Sequence, residues 1–309
     1  MADNLLDGRL KLRHLVLATT VAEHGSVVTA AEHLHITQPV VTRGIRELED
    51  LLGVRLFERT VRGMSPTEHG TAFLEHADAI LGEVRRAGKH LSELSAGATG
   101  TVIVGTHLAG SNVLLPRAIA RLKRAHPGIT VIVQEGSPEL LRTELLSGEL
   151  DLTVGRLSSV EADRTVRRAL YREPIRLVTR AGHPVTRSAT PPPLTELLHY
   201  PWIVPIAQTT LRQELETALA RHGLPLPADR IECTSILTMR SLLLETDVLA
   251  ALPELVARGE DQLSLLGTEL ETTRTVGVTL ADSTPPSPTA RRLLSELDAV
   301  GSAIRAELA

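Results

Sequence analysis

The stretch HITQPVVTRGIRELE, His35 to Glu49, sets Gln38, Thr42, Arg43 and Arg46 opposite an apolar row of Val41, Ile45 and Leu48. These side-chain types can read base edges. A glutamine amide pairs bidentately with adenine and an arginine fork with guanine, while threonine offers a methyl to thymine or a hydroxyl to phosphate. Downstream, in VRLFERTVRGMSP, Arg59 and Arg62 fall where a hairpin would flank a duplex and neutralise its phosphates. Solvated arginines on an ordinary helical bundle would give the same pattern. Bulk charge does not decide between the two, because residues 1–96 hold 11 basic and 13 acidic side chains and the whole chain carries a net charge of −4.

Chemistry of other kinds finds less support. His33 and His35 flank Leu34 without a third ligand at suitable spacing, so no metal is expected. Cys233, the only cysteine, lies in RIECT, which reads as an apolar strand where a buried thiol is inert; a single cysteine also excludes an internal disulfide framework. No nucleophile elbow, phosphate-binding loop or dinucleotide fingerprint occurs, and no carboxylate dyad sits at a strand end. Neither catalytic residues nor a cofactor are expected. The N-terminus has two early acids and no apolar core, and no apolar run approaches the roughly 18–20 residues of a membrane span. A cytoplasmic protein without membrane contact is the expectation.

The elements that must hold these residues have two textures. Residues 9 to about 95 read as successive helices, and those from about 101 onward alternate strands with helices. RLKLRHLVLATTVAEHG predicts an amphipathic helix burying Leu12, Leu15, Val16 and Thr19, ended by Gly25. Ser26 is placed to cap a short second helix, and Thr37 a third. Gln38 and Pro39 then fall in the first turn of that third helix, where backbone N–H groups lack intrahelical partners and proline costs little. Phe57 and Met64 bracket a predicted hairpin. Thr67 opens a long helix whose Leu74, Ala77, Leu81, Val84 and Leu91 form a stripe suited to pairing with a second copy, although packing on its own chain would also use it. SAGATG, Ser95 to Gly100, reads as a hinge.

Beyond the hinge, TVIVGTHL, ITVIVQEG and DLTVG alternate with two helices and predict parallel pairing. A second set begins at PIRLVT and PWIVP. Two α/β lobes imply a cleft, with ligands beyond the strand ends where helix N-termini point. Thr106, His107, Ser137, Thr209, Thr210 and Ser235 occupy such positions and suit an anion or a polyhydroxy ligand. Each hydroxyl taken singly also reads as an ordinary helix cap.

The run from Ala30 to Gly70, AAEHLHITQPVVTRGIRELEDLLGVRLFERTVRGMSPTEHG, closely resembles the N-terminal domain of LysR-type transcriptional regulators. The shared features are the paired alanines, L-H-I-T-Q-P, R-x-L-E, L-G-V-x-L-F-E-R and the T-x-x-G that opens the long helix. V-L-L-P-R-A-I-A-R-L-K, H-P-x-I-x-V, L-L-S-G-E-L-D-L-T-V-G and D-V-L-A-A-L-P extend the resemblance through the rest of the chain. It implies an α+β multi-domain fold: a winged helix–turn–helix at 10–67, a linker and dimerisation helix with its hinge at 68–96, and a two-lobed periplasmic-binding-protein-like module of type 2 at 97–309. Lobe I would hold about 97–170 and 273–309, and lobe II about 171–272.

The resemblance further implies promoter DNA as partner, with Gln38, Pro39, Thr42 and Arg43 facing the major groove and Arg59 and Arg62 in the wing. Thr37 and Arg46 join them as expected contacts. A small effector between the lobes and a homodimer or homotetramer are implied as well. EGSPELL, GRL and PWIVP are most similar to the branch that regulates sugar uptake and aromatic-acid catabolism, so the effector expected is a sugar or an aromatic or other organic acid. A cytosolic small-molecule-binding protein without DNA function is the alternative. Two departures stand out. Val27 and Thr29 replace an aromatic and a basic residue of many members, which implies a missing phosphate contact at Thr29. Gly44 lies inside the third helix at a cost of about 1 kcal/mol relative to alanine, and is expected to allow close approach to the DNA backbone.

Overall fold

The computed structural model describes residues 5–60, 63–96, 99–106, 113–157, 164–188, 190–207, 209–282 and 285–308. The chain forms two compact units. One runs to Ser92 and includes Leu146–Glu149, and the other comprises Glu93–Leu145 and Leu150–Ala309.

In the first unit, α1 (Leu12–His24), α2 (Val27–His33) and α3 (Gln38–Leu52) precede a hairpin of β1 (Phe57–Thr60) and β2 (Gly63–Pro66), and α4 (Glu68–Ala96) follows. Gly25 ends α1 in the left-handed conformation, φ 61°. The Ser26 hydroxyl accepts from Thr29 N and caps α2, as expected. Thr37 occupies the cap position of α3 with extended backbone, but its side chain makes no capping bond; its carbonyl instead accepts from Val40 and Val41. The Thr67 hydroxyl accepts from Gly70 N at 3.0 Å and so caps α4. β1 and β2 pair antiparallel, with Arg59 opposite Met64.

The buried face of α1 differs from the expected one. Leu12 is exposed, and the helix is buried on two sides rather than one. Leu17, Ala18 and Val21 meet Ala30, Ala31, Val41, Ile45, Leu48 and Phe57 in the helix–turn–helix core. Leu15, on the other side, packs with Ala77 and Leu81 of α4. The stripe of α4 therefore divides. Its first half serves this chain's own core, while Val84 and Leu91 stay exposed, as does Ile80 outside the stripe.

Gly44 faces inward, not toward solvent. A Cβ there would overlap Leu17 Cδ1, so the glycine exists to let α3 and α1 cross closely; the expected approach to a DNA backbone is not its role. Gly44→Val is expected to lower stability by about 1–3 kcal/mol through overpacking. Urea unfolding of the full chain measures this, and an unchanged midpoint would contradict the assignment.

The second unit is built on one sheet of order β4-β3-β5-β10-β6-β9-β7-β8. Its strands are β3 (Gly100–Thr106), β4 (Ile129–Glu135), β5 (Leu152–Arg156), β6 (Thr165–Arg180), β7 (Trp202–Val204), β8 (Arg230–Glu232), β9 (Leu249–Pro253) and β10 (Leu263–Ala281). The helices are α5 (Leu114–Ala125), α6 (Pro138–Leu146), α7 (Leu194–Leu197), α8 (Thr210–Arg221), α9 (Ile236–Glu245), α10 (Glu254–Arg258) and α11 (Pro288–Glu307). β3 pairs parallel with β4 and β5, and β7 pairs parallel with β8 and β9.

Two long strands join these parallel halves; the sequence predicts only short parts of them, such as PIRLVT, and not their length or their pairing. β6 and β10 run antiparallel along 16 and 19 residues, with register shifts between Leu265 and Glu269 and between Glu269 and Thr273 that bend the ladder. One core gathers Val102, Val104, Leu114, Leu122, Leu293 and Leu297, holding α5 and α11 on the first half. Another gathers Leu177, Trp202, Leu215 and Leu219 under α8, and the Trp202 indole N–H donates to Leu197 O at 2.9 Å. A third packs α9 through Met239 and Leu243. β8 is an exposed edge strand and Cys233 beyond it is half-buried, so RIECT is not the buried strand expected.

Candidate nucleic-acid interface and buried ionic site

α3 presents Thr37, Gln38, Pro39, Arg43 and Arg46 to solvent, with Thr42 half-buried among them. Gln38, Thr42 and Arg46 line a groove of about 540 Å³ whose far wall is the hairpin, where Arg59 stands. Ser26 and Val28 of the α2 start close one end. Thr37, Pro39 and Arg43 are exposed beside this groove and do not line it. Arg62 lies outside the described residues. Arg43, Arg46 and Arg59 have no ion-pair partner among the described residues, which leaves three guanidinium groups for an external anion.

Glu49 makes this geometry rigid. It is buried, and its Oε1 accepts from Leu56 N at 2.8 Å and Phe57 N at 3.2 Å, while Arg55 Nη1 donates to Oε2 at 3.1 Å. The carboxylate thus ties the last turns of α3 to the first residue of the hairpin. Backbone N–H groups left without it would each cost about 1–3 kcal/mol. Arg55 enters the groove from the same tie. Sequence reading passed over both residues, since R-x-L-E marked Glu49 only as part of a pattern.

In the second unit, the described hydroxyls expected to bind an effector are engaged in hydrogen bonds within the protein. Thr106 is fully buried and donates to Val154 O at 2.9 Å. Ser137 accepts from Leu140 N at 3.2 Å, and Ser235 from Thr238 N at 3.3 Å. Thr209 caps α8, accepting from Arg212 N at 3.3 Å and donating to Ile206 O at 2.9 Å. Gly136 N donates to Thr106 O at 3.3 Å, so the ends of β3 and β4 stay side by side. Thr210 opens α8, but its side chain, like the whole of His107, lies outside the described residues.

A charged cluster that the sequence reading missed occupies the middle of the sheet. Register sets it in two rows: Val276 of β10 pairs with Arg156 of β5 and with Tyr171 of β6, and Arg274 pairs with Glu173. Residues paired across strands, or two apart along one, share a face. Glu214 of α8 completes the cluster, ion-paired to Arg156 Nη1 with both side chains 1% exposed. Arg274 Nε lies 3.0 Å from Glu214 Oε1, off the hydrogen-bond line. Arg156 Nε and Nη2 have no partner among the described residues.

Burial dominates the protonation equilibria here, pushing the Arg156 pKa down and that of Glu214 up, each opposed by the partner's charge. Burial also raises Glu173 to about 7, offset by the Leu255 N–H it accepts and by Arg156, and reinforced by Glu254. It raises the neighbouring Tyr171 as well. A Glu173 carboxyl at 4.5 when unfolded and about 7 when folded holds its proton more tightly in the native state. Its contribution to stability is therefore complete below about 4.5 and is lost as pH rises through about 7. Glu173→Gln, which keeps an acceptor for Leu255 N, is expected to match wild type in urea at pH 5 and to exceed it at pH 8; equal stabilities at pH 8 would contradict the burial argument.

Among the described residues no group of histidine, cysteine, aspartate or glutamate could hold a metal ion, and no helix is long and apolar enough to cross a membrane.

Two family models match the chain. Bacterial regulatory helix-turn-helix protein, lysR family, covers residues 12–71, and LysR substrate binding domain covers residues 95–301. Among curated relatives, the HTH-type transcriptional regulator PcaQ of Agrobacterium fabrum is 35% identical over 289 residues, 92% of each chain. GbpR of Azospirillum brasilense is 33% identical over 80% of this chain and 72% of its own length. Among solved structures, a full-length OxyR variant from Pseudomonas aeruginosa superposes with a TM-score of 0.66 at 23% identity, covering 93% of this chain and 94% of the other. Full-length CbnR, a structure complexed with its target DNA, gives 0.61 at 22%, covering 94% of this chain and all of CbnR. These two likenesses bear on the fold.

Proposed function

The chain belongs to the LysR family of DNA-binding transcriptional regulators with an effector-binding domain, and from that premise we propose how its residues divide the work. Gln38, Thr42 and Arg43, with Thr37, Pro39 and Arg46 beside them, read bases in the major groove from α3. Arg59 and Arg62 contact phosphates from the wing. The observation that carries this reading is that Arg43, Arg46 and Arg59, none with an ion-pair partner among the described residues, stand exposed on a helix and a hairpin tied together by Glu49.

The exposed part of the α4 stripe pairs copies of the chain in a homodimer or homotetramer. The second unit takes a small effector, an organic acid or a sugar, near the strand ends that carry Thr106, Ser137, Thr209 and Ser235. The protein acts in the cytoplasm, where its DNA is. Ligand binding favours one arrangement of the two parallel halves about β6 and β10, and this shifts the population of DNA-bound geometries.

Fluorescence anisotropy with the DNA upstream of the protein's own gene tests the first part. Affinity is expected to exceed that for shuffled DNA by a thousandfold or more, an order of magnitude set by typical operator specificity ratios. Equal affinity for both sequences would refute it.

A further inference from the structure

The buried stripe of α3 is complete without Val40. Val41 and Leu48 are wholly buried and Ile45 nearly so, and these residues fix the helix in the helix–turn–helix core. Val40 is 49% exposed, and its backbone N–H is already satisfied by Thr37 O at 2.9 Å. Helix propensity does not account for it either, since alanine serves better at an exposed helical position than a β-branched residue. Ile36, 38% exposed in the turn before the helix, and the exposed Pro39 extend the apolar character over the same end of α3. A single exposed valine is ordinary on a protein surface. Three exposed apolar side chains within residues 36–40 make a patch.

The same end of the helix carries polar residues assigned to bases. Gln38 precedes Val40 and Arg43 follows it on the first two turns, and Arg43 and Arg46 have no ion-pair partner among the described residues. Exposed guanidinium groups beside an apolar patch match a polyanion that carries apolar groups, and a neutral protein surface would leave them uncompensated. In a helix–turn–helix the first residues of the second helix are the ones that reach base edges. Thymine is the one base whose major-groove edge carries an apolar group, its C5 methyl. We propose that Val40, with Ile36 at the helix entry, packs on thymine methyl groups of the operator and adds a preference for thymine where Gln38 and Arg43 do not read. The inference rests on the DNA-reading role of α3 given above, and it names a further specificity residue and the base feature that residue recognises.

The test replaces thymine by 2′-deoxyuridine, one position at a time, in the operator that the full-length protein protects. This deletes the C5 methyl and leaves the hydrogen-bonding edge intact. Anisotropy titrations are expected to show binding weakened about fourfold at one or more positions, the effect of losing one buried methyl-sized group. Val40→Ala is expected to bind the unsubstituted operator more weakly by a similar factor and to lose nothing further from deoxyuridine at those positions. Val40→Ile is expected to keep the discrimination. Because alanine favours helix, Val40→Ala is expected to unfold in urea no earlier than wild type, which separates binding from folding. The inference is overturned if no deoxyuridine weakens wild type, or if Val40→Ala loses as much from deoxyuridine as wild type does. It is also overturned if Val40→Ala changes transcription from the promoter with the deoxyuridine profile untouched, which would put a protein partner on the patch. The DNA-reading role of α3 is judged separately, by comparing operator with shuffled DNA: a wild type that prefers the operator but ignores the methyl groups refutes only the role of Val40.

Discussion

Glu214→Leu is expected to lower the unfolding free energy by about 3–5 kcal/mol, because it leaves Arg156 buried without a contacting ion partner among the described residues. The companion variant Arg156→Met is expected to cost a similar amount by stranding Glu214, which would retain only the misaligned Arg274. Combining the two removes both charges and keeps apolar volume, so most of the loss returns. The measurable quantity is the coupling in the double-mutant cycle, read from urea unfolding of the larger unit, and it is expected to be several kcal/mol. Additive losses would mean that the two side chains do not meet across the sheet. The effect is large because both groups are almost wholly removed from water; exposed pairs such as Arg117–Glu307 in the same unit are worth about 0–1 kcal/mol.

Arg43→Ala carries the second large effect, in binding instead of folding. Arg43 is exposed in the second turn of α3 and has no ion-pair partner among the described residues, so its removal leaves the core intact. Affinity for the operator is expected to fall by about 1–3 kcal/mol, with relaxed preference at one base position and little change on shuffled DNA. Arg59→Ala, in the hairpin, is expected to weaken operator and shuffled DNA alike and to reduce the salt slope by about one. Anisotropy titrations across a salt series separate the two. If both variants lost affinity equally on both sequences, α3 and the hairpin would not have the roles given to them.

Much of the fold is legible in the residues because the local signals agree with one another. The glycine after α1, the Ser26 cap, Pro39 in the first turn of α3 and the Thr67 cap each mark a boundary that depends only on neighbouring backbone groups. The alternation of strand and helix from Gly100 to Arg156 is equally local, since each apolar run is short and bounded by turns. The long strands β6 and β10 are hidden for the opposite reason. Their segments RRALYREP and LGTELETTRT are charged or polar, and only pairing with each other across more than eighty positions of chain makes them strands. Their bulges also break the period of two that would reveal them.

The residues proposed to face DNA stand out in the sequence because most are polar and all fall within one short stretch around α3 and one hairpin. Gly44 was misread for want of its partner: only the position of Leu17 shows that the helix face at Gly44 points inward. The ionic cluster was invisible for a related reason. Arg156, Glu173, Glu214 and Arg274 lie on four separate elements, and nothing but strand register and the docking of α8 assembles them. The threonines and serines at strand ends were found by position alone; Ser137, Thr209 and Ser235 bond to their own helix starts, and Thr106 bonds across to Val154 O of β5.

We propose that α3 and its hairpin hold a specific promoter and that a small ligand in the second unit changes how they hold it. DNase footprinting combined with a bend assay on the upstream DNA, with and without a compound shown by calorimetry to bind the protein, tests it most directly. A protected site present in both states, with a ligand-dependent change in its length or in the DNA bend, is the predicted result. Identical protection and identical bend with every compound that binds would contradict it.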